Sequence, residues 1–103
     1  MQKLLRRLQT VANDETSLVA IAERLRLTRT ALGMSQAAFC KSVDIAANTY
    51  NQYEKAVQTP RLDMAIRMCR RHRLTLDWIY MGDGSSLPSS LHEKIKELRR
   101  TSI

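Results

Sequence analysis

Apolar residues recur at helical spacing along the chain, and no stretch of useful length alternates as a half-buried strand would. Leu4, Leu5, Leu8 and Val11 share one side of residues 2–11, with Lys3, Arg6 and Arg7 opposite, which predicts a short amphipathic helix. Asn13, Asp14 and Thr16 are candidate caps for a second helix running to about residue 32. Its inner face is read as Leu18, Ile21, Ala22, Leu25 and Leu32, and its solvent face as Glu23, Arg24, Arg26 and Arg29. Gly33 then suits a left-handed stop, and Ser35 an N-cap for a helix over about 35–43 with Ala38, Phe39 and Val43 inward. Asp44 and Ile45 break the pattern before a further helix over about 46–54, anchored by Tyr50 and Tyr53. Two helices joined by so brief a turn predict a helix-turn-helix.

Beyond the loop at Thr59 and Pro60, Leu62, Ala65, Ile66, Met68 and Cys69 form the apolar face of a helix ending near His72. Thr75 can cap a short helix over 76–81, whose Trp78 and Ile79 would close the base of the core. Gly82 to Pro88 is turn-rich, and residues 91–100 form a last basic helix with Leu91, Ile95 and Leu98 on one side. That helix is too short to stand alone in water, so it needs a docking surface or a second subunit. The expected fold class is all-α: an N-terminal helical extension at 1–16, a helix-turn-helix domain at 17–82, and a linker with a C-terminal helix at 83–103.

Composition narrows the function. A chain of 103 residues, 44% hydrophobic and 26% charged, is a single folded domain rather than a disordered segment. Its formal net charge of +7 favours a polyanionic partner, with nucleic acid ahead of an anionic membrane surface. Lys and Arg outnumber Asp and Glu by 6 to 3 over residues 1–34 and by 5 to 2 over 61–80, but stand at 2 to 2 over 35–60. A basic frame around a neutral centre suits outer elements that grip phosphates and a centre that meets bases. Cys40 and Cys69 lack the paired spacing of a zinc site and read as reduced core residues, so no metal or cofactor is expected. No apolar run approaches a membrane span and no signal core opens the chain, so a cytoplasmic location is expected. His72 and His92 sit in basic helices without a neighbouring nucleophile and read as surface residues, and the carboxylates are scattered, which argues against an enzyme.

The central segment offers more. Asn48 and Gln52 lie four apart on one helix face with Asn51 beside them. Asn and Gln can engage adenine N6 and N7 bidentately, and Ala47 is small enough to approach a thymine methyl, so the predicted readout is biased to A·T pairs. Arg26, Arg29 and Arg61 are candidates to grip the DNA backbone.

These residues, taken with Arg24-Leu25-Arg26, Gly33-Met34-Ser35-Gln36, Asn48 through Lys55, Pro60 and Leu74 through Tyr80, resemble the phage-repressor-type (XRE, Cro/C1-type) helix-turn-helix family over residues 24–80. The resemblance implies a lambda-repressor-like five-helix domain, with the outer helices as additions. It also implies that Gln36 stands beside a phosphate at a helix N-terminus, that Ala47, Asn48, Asn51 and Gln52 face bases, and that Lys55 touches the backbone. Thr49 could reach a phosphate, Tyr50 falls where the family buries a side chain, and Glu54 matches a Glu of structural role. Double-stranded DNA bound by a homodimer, as one short helix reads too few base pairs alone, is the expected partner.

Three positions where the family commonly has Gly hold Asp44, Ala56 and Arg73. Left-handed backbone at Ala or Arg costs roughly 1 kcal/mol or more, or else the turn changes shape, so the loop at 55–60 is a place to expect remodelling. Ala46 replaces a capping Ser or Thr, and residues 46–52 contain no Arg or Lys. Either this helix reads A·T-rich sites through amides, or the scaffold binds a protein partner such as a transcription factor or toxin, as an antiactivator or antitoxin would.

Overall fold

The computed structural model describes residues 14–101, so the amphipathic helix expected at 2–11 lies outside the described residues. The described chain is helical, with no strand among these residues. Its elements are α1 (Leu18–Ala31), α2 (Gln36–Val43), α3 (Ala47–Glu54), α4 (Leu62–His72), a π-helical turn (Asp77–Met81) and α5 (Ser89–Thr101).

Local chemistry sets where the helices begin. Ser17 and Ser35 cap α1 and α2, each accepting a backbone N–H three residues on at 3.1 Å. Ala46 has no side chain able to do this at α3, and α4 likewise starts without a side-chain cap.

The stops share one device. After each of α1 to α4 a residue turns left-handed, and the next N–H reaches back five residues: Met34 to the Arg29 carbonyl, Ile45 to Cys40, Val57 to Gln52 and Leu74 to Cys69. The left-handed residue is a glycine only at Gly33; the others are Asp44, Ala56 and Arg73, with φ of 54°, 60° and 58°. The loop after α3 therefore keeps the left-handed stop although Ala56 stands where glycine is common.

The core gathers Ile21, Leu25, Phe39, Val43, Ile45, Tyr50, Tyr53, Met68, Trp78 and Ile79. Within it α1 packs on α3, α5 and the π-helical turn, while α2 packs on α3 and α4. Burial holds α5 in place: Leu91 and Ile95 join the core against α1, so the docking surface this helix required lies within the same chain. Trp78 and Ile79 close the base of the core as expected.

Several faces differ from expectation. Leu18 and Leu62, assigned inward, are exposed at helix starts, where no neighbouring element covers them. Arg24, assigned to solvent, is 1% exposed. Its Nε and Nη2 donate to the Ile79 carbonyl at 3.2 and 3.0 Å, Nη2 also donates to the Glu15 carbonyl, and the guanidinium lies 5.9 Å from the Trp78 ring centroid. His72 is half-buried rather than at the surface. Its ring stacks on Phe39 at 5.0 Å, and Nε2 lies 2.8 Å from the Ser42 hydroxyl.

Candidate nucleic-acid interface

The second helix of the helix-turn-helix is fixed from behind. Tyr50 and Tyr53 fill the core beneath α3, and Glu54 is buried at its end. Arg29 of α1 meets Glu54 as a fork, Nε to Oε2 at 2.7 Å and Nη2 to Oε1 at 3.1 Å, while Nη1 donates to the Met34 carbonyl at 2.9 Å. Gln36, the first residue of α2, donates Nε2 to Glu54 Oε1 at 3.0 Å and to Asn51 Oδ1 at 3.4 Å. Arg26 adds a bond from Nη2 to the Glu54 carbonyl at 3.3 Å. One carboxylate thus ties α1, α2 and α3 together, which sets the angle at which α3 is presented.

The electrostatics agree with that role. Burial pushes the Glu54 carboxyl upward, but hydrogen bonds from Arg29 and Gln36 outweigh it and hold the group below its ordinary value of 4.5. The Arg29 guanidinium is raised by its hydrogen bond to Glu54. The Tyr50 phenol, buried near that carboxylate without reaching hydrogen-bond geometry, is pushed far up and stays neutral.

The outer side of α3 is open. Ala47, Asn48 and Gln52 are exposed, and Asn51 and Thr49 are half-buried at its edges. Asn48 folds its Oδ1 onto the Thr49 N–H at 3.0 Å, so its amide N–H groups point outward. Asn51 lends its oxygen to Gln36, which leaves its two donors for an outside acceptor. Among the six residues expected at phosphates, Thr49 lies on α3 and Gln36, Lys55 and Arg26 border it, with Lys55 exposed at its C-cap. Arg61 is exposed before α4 and pairs with Asp63 at 3.4 Å. Arg29 spends its Nε, Nη1 and Nη2 on protein acceptors, so its influence at this surface runs through Glu54 and Gln36.

Sequence reasoning missed two arginines. Ile21, Arg24, Leu25 and Thr28 are buried together at spacings of three and four, so the periodicity placed Arg24 inside while its charge argued otherwise. Arg67 donates Nη1 to the Asp44 carbonyl at 2.6 Å, across the turn that leads into α3. Nothing in the spacing pairs residues 44 and 67.

A groove of about 840 Å³ runs between α1 and the loop after α3, with Val19, Ala22, Leu27 and Val57 among its walls and Arg26 and Lys55 on it. The described residues contain no cluster able to hold a metal ion and no helix long and apolar enough to cross a membrane.

Among known proteins, a family model described as helix-turn-helix matches residues 25–79, from α1 to the π-helical turn. No curated protein and no solved structure matched the chain.

Proposed function

The chain belongs to the Cro/C1-type (XRE) helix-turn-helix family, a family of DNA-binding regulators rather than enzymes, and from that premise we propose that it is a sequence-specific transcriptional regulator. Its α3 enters the major groove and reads A·T-rich half-sites through amides, two copies binding together. The observation that carries this reading is the contrast between the two sides of α3. Tyr50, Tyr53 and Glu54 are locked against α1 and α2, whereas Asn48 and Gln52 stand exposed with unspent donors.

Asn48 and Gln52 are the main readers, Ala47 allows close approach, and Asn51 reads with its amide donors while braced by Gln36. Gln36, Thr49, Lys55, Arg26 and Arg61 hold the backbone. The apolar side of α5 is spent on α1, so the case for a dimer rests on the shortness of the reading helix.

The test compares binding to the gene's own promoter region and to random duplex over a range of salt. Asn48→Ala and Gln52→Ala should each weaken specific binding by about 5- to 150-fold, the 1–3 kcal/mol of a bidentate base contact, and leave random duplex unchanged. Equal binding to both duplexes, insensitive to either substitution, defeats the reading.

A second reading, a regulator that binds a protein partner, is favoured by the groove beside α3, where Val19 and Val57 are 69% and 61% exposed. It requires a stoichiometric partner whose binding is abolished by Val19→Glu or Val57→Glu.

A further inference from the structure

Resting on the DNA-reading assignment, we propose that α4 supplies a second phosphate clamp, Arg67 with Arg70 and Arg71, on the strand beside the N-terminal end of α3. At eight residues, α3 is about 12 Å long, close to the roughly 12 Å width of the major groove. A helix that fills the groove brings both its ends near a sugar-phosphate strand. At its C-terminal end the polar groups are at hand, with Lys55, Arg26 and Gln36 gathered around Glu54. Its N-terminal end, Ala46, Ala47 and Asn48, carries no charge of its own.

The missing cations come from α4. Arg67 is anchored by its Nη1 to the Asp44 carbonyl, two residues before Ala46, and remains exposed with its other N–H groups turned to solvent. Arg70 and Arg71 follow three and four residues later on the same face, both exposed. Together with Ser42, Val43 and Asp44 these three arginines line an open cleft of about 440 Å³ beside the turn. No carboxylate of the described residues forms an ion pair with any of them. The Asp44 carboxylate is the one acidic group among the residues lining the cleft, against three guanidinium groups, and the surplus is positive. Such a patch suits phosphate oxygens, which accept several N–H bonds at once, and its anchoring to the turn fixes the distance from the clamp to the reading face.

The experiment measures affinity against salt for Arg67→Gln/Arg70→Gln/Arg71→Gln, and for Lys94→Gln/Lys96→Gln/Arg100→Gln on α5 as a charge-matched control. The clamp predicts that the α4 triple variant weakens promoter and random duplex alike. The slope of log affinity on log salt should become shallower by roughly 2 to 3, about 0.9 for each phosphate no longer neutralised, with the α5 control changing much less. Because Arg67 also braces the turn, Arg70→Gln/Arg71→Gln is measured too, with a slope change of roughly 1 to 2 expected on the same basis. Unchanged slopes in both α4 variants, or an equal change in the control, overturn the clamp while operator reading by Asn48 and Gln52 stands. No DNA binding by the unaltered protein overturns both.

Discussion

Arg24 and Arg29 stand on the same helix, and the regions of the molecule they serve are built on different principles. Around Arg29 the guanidinium meets a buried carboxylate in a two-bond fork, and Gln36 and the Met34 carbonyl before α2 join the network. Around Arg24 the guanidinium is more deeply buried, yet its acceptors are carbonyls, and its nearest carboxylate, Glu15, is 3.6 Å away and itself largely exposed. Desolvation accordingly lowers the Arg24 pKa, while the hydrogen bond to Glu54 raises that of Arg29. The first region orients the helix-turn-helix through a charge pair. The second fastens Trp78, the π-helical turn and the chain before α1 through packing and carbonyl bonds, with Arg99 of α5 covering the same indole at 5.5 Å.

The largest test of that contrast is Glu54→Ala. Removing one partner of a buried pair strands the other, so a drop of about 3 kcal/mol is expected by urea denaturation, together with loss of DNA binding. The same group makes the domain acid-sensitive. Its folded carboxyl is held below 4.5, so its stabilisation is complete above that pH and disappears as pH falls through the folded value. Glu54→Ala should flatten that part of the acid denaturation profile.

Arg24→Met should cost less, about 1–2 kcal/mol, because it leaves the Ile79 carbonyl without its donors but strands no buried charge. Stability should fall and the fluorescence of Trp78, the chain's one Trp, should shift, while the affinity of the remaining folded protein for DNA is kept. A loss of affinity comparable to that of Glu54→Ala would erase the distinction between the two regions.

The smallest expected effect lies in the stop after α3. Ala56 holds φ at 60°, so Ala56→Gly should stabilise the domain by about 1 kcal/mol without altering DNA affinity, as read by thermal melting and titration.

How far these regions were legible in the sequence follows from what each depends on. The helices and the helix-turn-helix were readable because caps such as Ser35 and stops such as Gly33 act within a few residues. Asp44, Ala56 and Arg73 were identifiable as standing where glycine is common, at a cost for Ala56 and Arg73, but whether the loop at 55–60 would keep the left-handed geometry depended on tertiary packing. The amides of α3 were legible as an outward face. Arg24 carries two opposed signals: its charge points to solvent, while its spacing from Ile21 and Leu25 is that of a core residue, and the spacing prevails. The bond from Arg67 to Asp44 spans 23 residues and leaves no local trace. The docking of α5 on α1 was likewise open in the sequence, since an amphipathic face does not name its partner.

Whether amides on the braced α3 read DNA sequence is decided by selecting binding sites from a pool of random duplexes with the unaltered protein. Enrichment of A·T-rich half-sites repeated with two-fold symmetry about one helical turn apart is the expected result, with that enrichment abolished by Asn48→Ala/Gln52→Ala. A pool that emerges without sequence preference, or with the same preference from the double variant, would contradict it.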